Sequence, residues 1–362
     1  MRKILFLFLI WRTLLFLVAY LSPQFVQPFG ATFPYYQERL IATGLPHFIW
    51  SFANFDGVHY LGIAKDLYAY QYTQAFFPLY PILIKTLSYV FSANLILSGL
   101  FISNISFLIG LVIFYRFIEN KFNQNIAFWS VIFLMSLPTS FFFGSLYTEG
   151  LFFLLIILSF YFADKSDNLK LSIVGFFASL TRLVGVFIAP AIFFEAKTKS
   201  LMPKLIIPLG LIAYMVYLKL EFNNALYFLT SQSIFEQGRS TTKIIFLPQV
   251  FYRYVKILAT THGLVFANAM FELTVTIFAL GILIWGYKKI PRSWFVFSIL
   301  TIITPTLTGT LTSMPRYVLV AFPIFVLLAN IKNLHIKLLI SLIFIVLQII
   351  VAAYFTQGYW VA

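Results

Sequence analysis

Long apolar runs, closed at alternate ends by basic residues, set the pattern of this chain. The first, 4–21 (ILFLFLIWRTLLFLVAYL), has the length of a membrane-spanning helix, for which ~20 mostly apolar residues are needed. It is too long for the core of a secretory leader and lacks a small-residue cleavage site, so it is expected to remain as an anchor. Runs at 95–115, 126–143, 146–163, 203–221, 266–286, 293–312, 317–331 and 338–355 predict further spans. Arg2 and Lys3, Arg116 and Lys121, Lys165 and Lys170, Lys197 to Lys204, Lys288 to Arg292, and Lys332 with Lys337 mark one side of the membrane. Short cytoplasmic loops are rich in Lys and Arg, which puts that side inside.

This parity settles two ambiguous runs. Residues 171–195 begin and end beside inside charges, so they predict two short helices that enter and return, with Thr181-Arg182 near the turn. Irregular backbone at such depth is tolerated only within protein or beside a watery cavity. Residues 76–91 contain two prolines and Lys85, and a crossing there would turn Arg116 and Lys121 outward. They are expected to form an interfacial or half-buried helix. Two segments are then external. Residues 22–92, with short amphipathic runs between Pro23, Pro28, Pro34 and Pro46, predict helices lying along the membrane surface. Residues 222–262 carry Glu236, Arg239, Lys243, Arg253 and Lys256.

Composition agrees. Hydrophobic residues make up 61% and charged residues 10%, against about 25% charged in soluble domains. The fold class is therefore an all-α polytopic membrane protein, one transmembrane domain over 1–362, with membrane lipids as its surroundings. The 45 Phe and 21 Tyr suit aromatic belts. The net charge of +14 is accounted for by the inside loops, so no nucleic-acid partner is implied. Without cysteine, disulfides and thiolate metal sites are excluded.

Against this background the stretch 54–81 stands out, because it places Asp56, His59, Lys65 and Asp66 among apolar segments. A charge surrounded by lipid or apolar protein costs several kcal/mol unless it is paired or used. With the chain oriented, Asp56, His59, Asp66, Glu149, Arg182, Glu272 and Arg316 all project to the external side. Each has a plain structural reading as well. Asp56 can be a helix cap, His59 can merely hold Asp56, Glu149 can cap the helix it opens, and the arginines can be ion-pair partners. Arg12, inside the first span, either faces the bundle to meet an acid or a lipid phosphate, or snorkels to the interface.

Acids and arginines gathered at one membrane face suit a lipid-phosphate substrate. Arginines bind phosphate bidentately and a carboxylate takes the proton of an attacking hydroxyl. Phosphate is already a competent leaving group, so no metal cofactor is demanded, although a carboxylate-bound divalent cation would be compatible with these residues. A secondary transporter or lipid flippase also uses half-helices and buried charges, but then acids at the midplane and an inverted repeat are expected, and neither is found. A non-catalytic assembly subunit would not need the acids and arginines together.

FDGVHYLGIA (55–64) followed by AFFPLYP (75–81), YTEGLFFLL (147–155), TRLVGV (181–186) and PRYVLVAFP (315–323) resemble, in order, the signature segments of the PIG-V-like mannosyltransferases. One departure is Phe55, where that family usually has Trp; another is the compact 222–262 segment. The resemblance implies a GT-C-type glycosyltransferase fold with interfacial helices in the first external loop. It implies Asp56 as catalytic base, with His59, Tyr60, Tyr147, Glu149, Arg182, Arg316 and Tyr317 as substrate-binding residues. The partners implied are a polyprenyl-phosphate sugar donor, with mannose as the sugar, and a lipid or glycan acceptor. The site would face away from the cytoplasm, in the cell membrane of a prokaryote or the ER membrane of a eukaryote.

Overall fold

The computed structural model describes residues 2–29, 33–195, 197–235, 238–240 and 243–361; Glu236 of the second predicted external segment lies outside them. All regular structure among the described residues is helical. In chain order the principal helices are α1 (Arg2–Leu21), α2 (Asp56–Asp66), α3 (Leu79–Ser88), α4 (Leu95–Lys121), α5 (Gln124–Ser136), α6 (Glu149–Asp164) and α7 (Asn168–Thr181). They continue with α8 (Leu209–Phe222), α9 (Leu247–Thr260), α10 (Gly263–Gly286), α11 (Arg292–Thr306), α12 (Met314–Val320) and α13 (Leu334–Thr356).

Among the described residues, five helical stretches are long and apolar enough to cross a membrane: Arg2–Gln24, Leu95–Lys121, Met202–Phe222, Gly263–Lys289 and Leu334–Thr356. The chain is thus an all-α polytopic membrane protein, and these five coincide with predicted spans. The runs 126–143, 146–163, 293–312 and 317–331 form shorter helical elements. Each is a short or interrupted helix, below the ~20 residues that cross alone. Proline is the recurrent cause. α5 stops at Ser136 because Leu137 precedes Pro138 and is held extended, at φ −52° and ψ 138°. Pro305 lies in the last turn of α11, and the last run breaks into α12 and Pro323–Ala329. These runs are also buried: every residue from 133 to 153 and from 318 to 329 is inside the protein. Their apolarity builds core.

The predicted pair of short helices in 171–195 is present. α7 ends at Thr181, Arg182 is extended (φ −153°, ψ 147°), and Leu183–Phe187 and Ile188–Ile192 follow. The run 76–91 contains only the ten-residue α3.

Two compact units divide the chain. The first comprises Met1–Gln71, Pro78–Leu158 and Leu328–Val361, the second Tyr72–Phe77 and Ser159–Leu327. In the first, α13 repairs the break after α5: Gln348 Nε2 donates to the Met135 carbonyl (3.0 Å), the Leu137 carbonyl (3.3 Å) and Ser140 Oγ. Without it, carbonyls freed near Pro138 would be unsatisfied away from water, at several kcal/mol each. Arg12 is buried on α1, its guanidinium 4.0 Å from the Phe16 ring and 4.4 Å from the Phe52 ring. It faces the bundle through cation–π contacts and does not snorkel. In the second unit, Phe160, Phe297, Trp294 and Phe322 pack ring against ring, and Tyr214 Oη donates to the Gln74 and Phe76 carbonyls at 2.8 and 3.2 Å.

Candidate functional site

Asp56 opens α2, and the chain leading to it is tied down on both sides. Asn54 is fully buried; its Nδ2 donates to the Phe355 carbonyl at 2.9 Å, and its own carbonyl accepts from Tyr147 Oη at 2.8 Å. The Phe52 carbonyl accepts from Leu146 N at 2.9 Å. Phe55 then takes φ 57° and ψ −111°, a left-handed state that side chains disfavour. Its ring sits 4.8 Å from Phe33, 5.9 Å from Phe355 and 5.3 Å from Trp360. The far end of α2 closes on a similar residue, Leu67, at φ 56° and ψ −144°. A helix held between two such joints presents its first turn in one orientation.

Asp56 and His59 are half-buried on that helix, and Tyr60 is buried with its ring 5.2 Å edge-on to Tyr80. Burial lowers the His59 pKa to about 4, against the pull of the Asp56 carboxylate and with a smaller push from the Arg39 guanidinium. Glu149, the first residue of α6, is fully buried. Burial holds the Tyr80 phenol above its usual range, and the nearby Tyr60 and Glu149 add to this. Tyr80 Oη donates to the Gly99 carbonyl at 3.0 Å and lies 2.6 Å from Ser103 Oγ, which donates to the Tyr147 carbonyl at 3.0 Å. Gly150 lets α6 approach this closely: a Cβ there would lie 2.5 Å from the Ser103 carbonyl oxygen and 2.7 Å from that of Phe143. The 55–64 and 147–155 segments therefore form one site in the first unit. Asp66 is about 15 Å further along α2 and accepts from Tyr70 Oη at 3.4 Å.

Arg182, Arg316 and Tyr317 belong to the second unit. Arg182 stands at the break after α7, half-buried, with its guanidinium 5.7 Å from the Tyr317 ring. Arg316 is buried on α12, which starts behind the left-handed Ser313 (φ 67°). The 307–313 loop before it is held by residues whose part the sequence did not reveal. Tyr254 Oη donates to Glu272 Oε2 at 2.5 Å and accepts from Leu311 N at 3.0 Å; Arg253 Nη1 donates to the Gly309 carbonyl at 3.0 Å. Arg239 Nη2 reaches the Thr312 carbonyl and Ser313 Oγ at 3.5 and 3.4 Å. Glu272, expected at the external face, is a buried acceptor in this network. Only the amphipathic spacing of 247–260 hinted at an inward Tyr254. No three acidic or histidine side chains among the described residues gather to hold a metal ion.

A family model described as mannosyltransferase (PIG-V) matches residues 1–194, more than half of the chain. The chain belongs to the PIG-V mannosyltransferase family. GPI mannosyltransferase 2 of Drosophila pseudoobscura pseudoobscura is 27% identical over 132 residues, covering 33% of this chain and 28% of that protein. The matched stretch thus spans under a third of that relative's length. No solved structure matches the chain. The PIG-V match includes Asp56, Glu149 and Arg182 and stops short of Arg316.

Proposed function

We propose that this PIG-V protein moves a mannose, or a related hexose, from a polyprenyl-phosphate donor to a hydroxyl of a lipid or glycan acceptor, on the non-cytoplasmic side of the membrane. The observation that carries this reading is Asp56 on the first turn of α2, half-buried, behind a segment pinned by Asn54 and Tyr147. An ionised Asp56 takes the acceptor's hydroxyl proton as that oxygen bonds to the anomeric carbon. The bond from that carbon to the phosphate oxygen breaks at the same time, and the phosphate leaves with the electron pair. Arg182 and Arg316 bind the leaving phosphate, through charge-assisted hydrogen bonds. Glu149, Tyr147, His59, Tyr60 and Tyr317 position substrate or the groups that hold it. Direct displacement on a β-linked donor inverts the carbon and yields an α-linked product without a covalent enzyme intermediate. No step requires a metal.

The test incubates purified wild type and Asp56→Asn with labelled polyprenyl-phosphate-mannose and a mixture of lipid and glycan acceptors. A positioned acid–base group contributes about 10²–10⁴-fold in rate. The variant is expected to lose that much while still binding donor. Near-normal transfer by the variant would remove Asp56 from the mechanism. No transfer by wild type to any acceptor would favour the transporter reading.

A further inference from the structure

The reverse side of α2 carries a second polar site. Lys65 follows Asp56 by about two and a half turns at ~3.6 residues per turn, which places the two on opposite faces of the helix. Behind that face is a cavity of about 350 Å³ lined by Glu38, Arg39, Thr43, Lys65, Ser92 and Asn94, with Leu95 at its edge.

Arg39 is built into its wall. Its Nη1 donates to the Val58 carbonyl at 3.0 Å, and its guanidinium lies 4.2 Å from the Tyr35 ring and 4.7 Å from the Tyr70 ring. Gly62 leaves the room it occupies, since a Cβ there would collide with the guanidinium. Arg39, Lys65 and Glu38 have no ion-pair partner among the described residues. Two cations and one carboxylate leave a surplus of one positive charge, which a single phosphodiester would neutralise. Thr43, Ser92, Asn94 and Glu38 offer partners for hydroxyl groups. The N–H groups of Leu95 and Ile96 open α4 ahead of its own hydrogen-bond ladder and add positive character.

The surroundings name the source of the phosphate. α4 is one of the membrane-crossing helices, and the cavity lies at its first turn. Beside the lining residues the chain exposes Ile41, Leu67, Tyr89 and Val90, the last two by 79% and 74%. Apolar and aromatic groups around a basic cavity at the end of a span match the headgroup level of a bilayer. Ser92 and Ala93 are both left-handed (φ 51° and 64°); strain of this kind collects at ligand clamps.

We propose that this cavity binds the headgroup of an anionic phosphodiester lipid bearing free hydroxyls, with Arg39 and Lys65 on the phosphate and Glu38, Thr43, Ser92 and Asn94 on the hydroxyls. The lipid braces α2 from the face opposite Asp56. This holds whether or not the chain transfers a sugar.

The test uses the purified full chain in detergent, with phosphatidylglycerol, phosphatidylcholine or soluble glycerophosphoglycerol added. Bound lipid is counted by native mass spectrometry, and melting temperature is followed in parallel. Phosphatidylglycerol is expected to be retained and to raise the melting temperature; the other two are not. Lys65→Gln should weaken phosphatidylglycerol binding about fivefold, the worth of one basic residue near a lipid phosphate. Arg39→Gln should weaken it further, but it also unties Tyr35 and Tyr70, so the exposed Lys65 gives the cleaner reading. Equal retention of phosphatidylcholine, unchanged phosphatidylglycerol affinity in Lys65→Gln, or an equal effect of the soluble diester would each overturn the proposal.

Discussion

Phe55 shows how a single residue sets the candidate site. A left-handed non-glycine residue costs about 1–3 kcal/mol and persists only where its surroundings over-determine it. Here the surroundings are the rings of Phe33, Phe355 and Trp360 and the two hydrogen bonds of Asn54. The family's usual Trp at this position would serve the same packing. His59, one turn along, has a measurable signature. Its folded-state pKa is about 4, against an ordinary value of 6.5. Between those values the unfolded chain binds more protons than the folded one, so stability falls as pH drops from 6.5 towards 4. Above pH 6.5 the ring is neutral in both states and the effect vanishes. Melting temperature over this window should therefore fall more steeply for wild type than for His59→Gln. Parallel curves would mean that the ring is not desolvated.

At the scale of elements, α9 and the 307–313 loop act together. The loop is irregular, yet Tyr254, Arg253 and Arg239 satisfy its backbone from one side. Tyr254 is buried and joins two elements through one hydroxyl, donating a hydrogen bond to Glu272 and accepting one from Leu311 N. Tyr254→Phe keeps the ring and removes both links. A buried acceptor left short of its donor costs about 1–3 kcal/mol. The variant should melt lower, and hydrogen exchange should rise at 307–317, where Arg316 is carried. Unchanged exchange there would show that the loop is held by other contacts.

For the whole molecule, helix length bears on how the chain is oriented in the membrane. α3 has ten residues, about 15 Å of helix, half of the ~30 Å hydrocarbon core. A crossing at 76–91 is therefore not expected. Reporters in the turn after Lys121, at Lys165 or at Lys288 should read cytoplasmic, and reporters within 22–75 or 222–262 should read external. An external signal after Lys121 would reverse everything downstream. It would also put Asp56 and the cavity at the start of α4 in different positions relative to the membrane.

Composition and hydropathy were sufficient for the class of this protein, for the five long apolar helices among the described residues, and for a break at Arg182 within 171–195. The segments 55–64 and 147–155 were also legible, because polar groups that must be satisfied stand out among apolar runs. What only the tertiary structure decided follows from two limits of a linear reading. Hydropathy measures the cost of leaving water and is the same for a side chain that meets lipid and one that meets protein, so the buried runs around α5, α6, α11 and α12 read like the lipid-facing helices. Hydrogen-bond partners far apart in sequence leave no periodic trace. Tyr147 finds the Asn54 carbonyl, Asn54 finds Phe355, and Gln348 finds the carbonyls before Pro138. Those bonds form because a backbone or side-chain dipole buried away from water must be met by whichever group the packing brings to it.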